Sequence, residues 1–123
     1  MENIKPDNLK IGKLGEEIAK RFLEEKGYKV IEQNYRTRYC EIDLIVLDKR
    51  MLVFVEVRTK TGEIFGSPED TLNKKKIKKI IRGALWYVCR REYSQAYRID
   101  AVCVVLGIDK SVQRIAHYQN ITV

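Results

Sequence analysis

The chain is short of the residues that build imidazole and thiolate sites. His117 is its only histidine, which sets aside His-ligated metal clusters and Ser-His-Asp or Cys-His catalysis at their usual spacing. It is expected on the edge of a C-terminal strand. The three cysteines, Cys40, Cys89 and Cys103, are odd in number, far apart and without a CxxC pair. Neither a disulfide framework nor a thiolate zinc site is therefore expected. They read as small buried hydrophobes of a reducing, cytoplasmic compartment. No apolar run approaches the roughly 20 residues that span a bilayer, and Met1–Glu17 carries no apolar h-region of a signal peptide. Internal repeats and low-complexity linkers are also lacking. The 123 residues read as one domain, with residues 1–8 as a flexible lead.

What the chain has in excess is positive charge. Lys and Arg number 24 against 17 Asp and Glu, a formal net charge of +7. That balance favours a polyanionic partner, nucleic acid first and an anionic membrane surface second. Hydrophobic residues make up 45% of the chain, enough for one folded core.

Hydropathy patterning predicts the order α-β-β-β-α-β-β. Ile11, Leu14, Ile18, Phe22 and Leu23 recur at helical spacing between Leu9 and Lys26, and Gly27 ends the run. Strands are expected over Tyr28–Arg36, Glu41–Asp48 and Leu52–Thr59. Phe65–Pro68 reads as a turn into a second helix, with either Ser67 or Asn73 as its N-cap. That helix shows an apolar stripe of Ile77, Ile80, Ile81, Ala84, Leu85 and Val88. Arg98–Leu106 and Val112–Tyr118 complete the strands. The fold class is α/β: a central mixed sheet flanked by helices, its middle strands apolar on both faces.

A two-residue loop at Lys49-Arg50 pairs Asp48 with Met51 and sets the hairpin register. Asp43 then falls opposite Glu56, and Glu41 opposite Arg58. All four would share one face, since residues two apart on a strand point the same way. Directly opposed like charges are destabilising, so Asp43 and Glu56 call for protonation, a cation or a basic neighbour. Two readings fit. In one, Mg2+ or Mn2+ held by the carboxylates and water supports phosphodiester chemistry, with Arg58 steadying a phosphate oxygen. In the other, Arg58 and Glu41 neutralise the pair as a salt-bridged cluster.

The segments GKLGEEIAKRFLEEKGYKVIEQNYR, CEIDLIV, LVFVEVRTK, FGSPEDTLNKKK and YRIDAVCV together resemble the YraN family of small bacterial proteins. The resemblance runs from about Gly12 to the C-terminus. It implies a restriction-endonuclease-like core of the PD-(D/E)XK and Holliday-junction-resolvase kind. It further implies Asp43 and Glu56 as metal ligands, Glu16 as an additional acid, and Arg58 in the position of the motif lysine. Dimerisation is expected on the same ground. Cys40 stands where the family usually has Gly. A guanidinium does not readily give up a proton, so water activation would fall to the metal and Glu56.

Basic residues around this patch are candidates for DNA contact: Arg36 and Arg38 before the acidic strand, Lys60 after its partner, and Lys75, Lys76 and Lys79 on the second helix. The lysines crowd a helix start, where free N–H groups attract phosphate. Tyr35 could line the same groove. Arg98 and Asp100 share a strand face and read most simply as an ion pair. The expected function is metal-dependent hydrolysis of branched or structured DNA. Its alternatives are a binding module without catalysis and a scaffold for an acidic protein.

Overall fold

The computed structural model describes residues 6–122. The expected flexible lead is cut by that boundary: residues 1–5 lie outside the described residues, and a helix begins at Pro6. The elements are α1 (Pro6–Glu25), β1 (Lys29–Arg36), β2 (Glu41–Asp48), β3 (Met51–Thr61), a 3-10 turn (Pro68–Thr71), α2 (Lys74–Arg90), β4 (Tyr97–Leu106) and β5 (Val112–Tyr118). This is the order the patterning predicts. The two cap alternatives are both used, because Ser67 caps the 3-10 turn and Asn73 caps α2.

The strands form one sheet in the order β1-β2-β3-β4-β5. Only β3 and β4 run parallel, joined by the crossover through α2; the other pairs are antiparallel. Strand β3 is buried from Leu52 to Val57 because both its faces are covered. Leu44, Val46, Val53, Val55, Val102 and Val104 pack beneath Ala19 and Leu23 of α1. Ile45, Leu52, Phe54 and Ile99 pack beneath Ile80, Ala84, Tyr87 and Val88 of α2. Pleat alternation assigns these sets to opposite faces.

Glycine sets how deeply each helix sits. A Cβ on Gly15 would stand 1.8 Å from Thr59 Oγ1, so α1 meets β3 backbone-close at this point. A Cβ on Gly83 would stand 2.6 Å from Cys40 Sγ and 3.2 Å from Thr37 Oγ1. Docking at Gly83 turns α2 so that Ile80, Gly83, Ala84, Tyr87 and Val88 are buried. Ile81 and Leu85, part of the expected inward stripe, are exposed. Of the cysteines, Cys103 is buried as expected, whereas Cys40 is half-buried and Cys89 is exposed.

The end of the sheet nearest the β2–β3 turn is closed by a buried polar cluster. Arg98 reaches Asp100, Asp48 and Tyr28. His117 lies on the edge strand as expected, but its ring turns inward, between Asp100 and Lys26 at 2.8 Å each. Burial alone would raise the Asp100 pKa; hydrogen bonds from His117, Arg98 and the Asn120 N–H outweigh it and hold the carboxyl below its usual range. Arg98 and Asp100 are thus an ion pair at the opposite end of the sheet from the acidic patch.

The close approach at Gly15 yields a paired prediction. Gly15→Ala should destabilise the protein by about 1–3 kcal/mol through overpacking against Thr59. Gly12→Ala, three residues away with nothing within 4 Å of its Cβ, should be neutral or stabilise by up to about 1 kcal/mol through helix propensity. Thermal melts of the two variants check both.

Candidate active site

The β2–β3 hairpin keeps the expected register from Asp48–Met51 through Leu47–Leu52, Val46–Val53 and Ile45–Phe54 to Leu44–Val55, where the pairing ends. Beyond it the N–H of Val57 donates to Asp43 Oδ2 at 2.8 Å. Ile42 packs with Ile45 on the α2 side, although an odd separation should put them on opposite faces. The pleat is therefore broken between them, and the strands splay. The opening forms a cavity of about 460 Å³ lined by Glu16, Arg36, Tyr39, Cys40, Glu41, Asp43, Glu56, Val57, Arg58, Lys76 and Lys79.

Residues from four elements meet there. Glu16 comes down from α1 at the level of Gly15. Asp43 is half-buried and Glu56 only 4% exposed. Arg58 donates from Nη1 to Glu56 Oε2 at 3.3 Å and from Nε to Thr71 Oγ1 at 2.7 Å. Lys76, in the first turn of α2, places Nζ 3.5 Å from the same Glu56 oxygen. The expected Glu41–Arg58 pairing is not formed, because the hairpin has opened before those residues. Glu41 instead accepts from Asn34 Nδ2 at 3.1 Å, and the same amide nitrogen reaches Glu16 Oε1 at 2.7 Å.

Asn34 and Thr71 are the residues that sequence reasoning misses. Asn34 has φ +50° in the middle of a strand, a conformation Asn tolerates better than most residues. An asparagine inside YKVIEQNYR was the one available signal. Thr71 is fixed by its own hydroxyl, which donates to Pro68 O at 2.6 Å; nothing local marks it as a partner of Arg58.

The other expected contact residues divide. Arg36, Lys76 and Lys79 line the carboxylate cavity. Lys60 lines a second cavity of about 540 Å³ that shares Glu16, Val57 and Arg58 with the first, so the two form one trench. Arg38 and Lys75 are exposed and line neither. Tyr35 packs edge-on against Tyr87 at 5.0 Å between ring centres, and Tyr39 takes its place at the trench wall.

The electrostatics are lopsided. Glu56 faces two cations, whereas Asp43 has the Val57 N–H as its hydrogen-bond donor and two carboxylates nearby. Burial, then the charge of Glu56, push the Asp43 carboxyl well above the carboxylate range, with Glu16 adding to the shift. Two hard oxygen donors on one cavity wall suit Mg2+ or Mn2+. Among the described residues no three His, Cys, Asp or Glu side chains converge as a ready-made cage. A divalent ion would therefore complete its shell with water and phosphate oxygens, which Mg2+ ordinarily does. The Cys103 thiol, pushed up to about 12 by burial, stays protonated and offers no nucleophile.

The Asp43 shift has a definite consequence for stability. Its folded pKa lies above the ordinary value of about 3.9, so between the two the native state holds a proton that the unfolded state has lost. Native stability then falls as pH rises through that window. Asp43→Asn, which keeps an acceptor for Val57 and offers Glu56 a donor, removes the effect. In EDTA its melting temperature should exceed that of wild type, with the gap widening from pH 5 to pH 8. A gap independent of pH would contradict the assigned environment.

Comparison with known proteins agrees with the motifs. The model of an uncharacterised protein family, UPF0102, matches residues 15–104. A UPF0102 protein of Desulfosudis oleivorans is 43% identical over 104 residues, covering 85% of each chain. One from Caldanaerobacter subterraneus subsp. tengcongensis is 38% identical over 112 residues, covering 89% of this chain and 92% of its own. A third, from Clostridium botulinum, is 38% identical over 102 residues, covering 81% of this chain and 83% of its own. The chain belongs to the uncharacterised family UPF0102, the YraN family that its sequence motifs resemble.

Proposed function

We propose that the protein is a metal-dependent phosphodiesterase acting on DNA, with branched or otherwise structured DNA as its substrate. The observation that carries this reading is the meeting of Asp43 and Glu56 in an opened hairpin end, beside Arg58 and Lys76. A salt-bridged cluster would place its cations between the carboxylates; here both reach only Glu56, and the Asp43 side remains short of positive charge. That imbalance supports a cation-binding role for the pair.

When bound, Mg2+ or Mn2+ lowers the pKa of water and neutralises charge developing on the phosphate. Asp43 and Glu56 hold the ion, and the Val57 N–H fixes the rotamer of Asp43. Arg58, braced by Thr71, donates to a non-bridging phosphate oxygen. Glu16, anchored by Asn34, borders both halves of the trench and orients water toward the scissile phosphate. Arg58 handles no proton. Lys76, with Nζ 3.5 Å from Glu56 Oε2, is placed to neutralise charge on the departing oxygen. The trench walls, with Arg36, Lys60 and Lys79, match a polyanionic strand.

The expected outcome is Mg2+- or Mn2+-dependent cleavage of junction, flap or linear DNA by wild type. Asp43→Ala and Glu56→Ala should lose it, and Arg58→Ala should lower kcat by roughly 10²–10³. Cleavage unchanged in Asp43→Ala, or none by wild type on any substrate, would overturn the enzymatic reading. Among the described residues no third ligand converges on the pair, which favours one alternative, a nucleic-acid-binding module without catalysis. It predicts salt-sensitive DNA binding that survives both carboxylate substitutions and needs no metal.

A further inference from the structure

The strongest feature that this reading leaves unused is a set of bare hydrophobic side chains beside the trench. Ile64, Phe65 and Ile108 are 91%, 95% and 97% exposed. They project from two neighbouring loops, Gly62–Gly66 after β3 and Gly107–Lys110 after β4. The loops are held together where the Gly62 N–H donates to Leu106 O at 2.9 Å. All three side chains line one shallow hollow of about 420 Å³ with Gly66, Gly107 and Gln113. Single exposed hydrophobics are ordinary, but three at one tip form a patch that marks a contact surface.

The position of Phe65 identifies the occupant. Its ring borders the hollow and also the half of the trench lined by Glu16, Arg58 and Lys60. The surface thus leads from Lys60 and Arg58, which suit a phosphate backbone, to an aromatic ring that suits a base face, with Glu63 of the same loop paired to Arg114. A second copy of this chain would bring a further basic surface against Lys60 and Arg58, which charge disfavours. In duplex DNA the base faces are covered by their neighbours. Only unpaired or splayed bases present a face to such a ring, and unstacking is least costly where pairing is already lost.

We propose that Phe65, flanked by Ile64 and Ile108, is a stacking platform for unpaired bases next to the phosphodiester held in the trench. The platform selects nucleic acid with single-stranded or branched character over continuous duplex. It rests on the nucleic-acid reading above and adds the element that discriminates between substrates. Because it removes no phosphate contact, its loss leaves the electrostatic part of binding intact.

Fluorescence anisotropy in EDTA, where cleavage is absent, tests this with a forked oligonucleotide and a fully paired duplex of equal phosphate count. Wild type should prefer the fork. Phe65→Ala should weaken fork binding about fivefold or more, the loss expected for one stacked base, while duplex affinity and the salt slope stay unchanged. Ile108→Ser should weaken it in the same direction, and Phe65→Trp should retain it. Equal fork-to-duplex ratios in wild type and Phe65→Ala would overturn the proposal while leaving nucleic-acid binding intact. A change of sedimentation behaviour in Phe65→Ala with an unchanged ratio would overturn it in favour of a contact between copies. Absence of nucleic-acid binding by wild type would overturn the proposal together with the reading beneath it.

Discussion

The hydrogen bond from the Val57 N–H to the Asp43 carboxylate is the point on which the site depends. It satisfies a backbone donor that the next rung of the hairpin would otherwise have used, and a buried donor must find some partner. By taking that role, Asp43 ends the β2–β3 ladder at Leu44 and Val55 and opens the sheet. The carboxylate is thereby held at a fixed place and angle, with its second oxygen free to face Glu56 and the cavity. Without this substitution of side chain for backbone, the next rung of the hairpin could form where the opening now lies.

The rest of the architecture converges on that opening. Gly15 lets α1 approach Thr59 closely, which brings Glu16 to the trench, and Asn34 then bridges Glu16 and Glu41. Asn73 caps α2 by accepting from the Lys76 N–H, which places the Lys76 side chain near Glu56. The 3-10 turn presents Thr71 to Arg58 and is itself fastened to β5, since Arg114 and Tyr118 both bind Glu69. On the proposed reading, each positioning residue is held by an interaction distinct from the chemistry it serves. The polar cluster of Asp100, Arg98 and His117 satisfies its charges at the other end of the same sheet.

Much of this was legible in the chain because strand pairing is governed by simple periodicity. A two-residue loop at Lys49-Arg50 sets the register, and the structure keeps it for five consecutive pairs. The element order and both helix caps follow from equally local signals. The family motifs add that Glu16 belongs with the acidic strands, which pattern alone leaves undecided. What escaped sequence reasoning is long-range or rotational. The break of pleat near Asp43 depends on a side chain displacing a backbone acceptor. The true buried face of α2 depends on how closely Gly83 approaches Thr37 and Cys40, and the orientation of Arg58 depends on Thr71, thirteen residues away. Periodicity carries no information about any of these.

Charge tells the same story at two scales. The net charge of +7 favours polyanions over the whole surface, while the interior of the trench is acidic around Asp43. On the proposed reading a cation would reconcile them, drawing a phosphate toward carboxylates that would otherwise repel it. The most direct measurement is anomalous diffraction at the manganese edge from crystals grown with Mn2+. A peak between Asp43 and Glu56, absent in Asp43→Ala crystals, is the predicted result. A fully ordered site with no peak there, or an ion bound only elsewhere, would contradict the central claim.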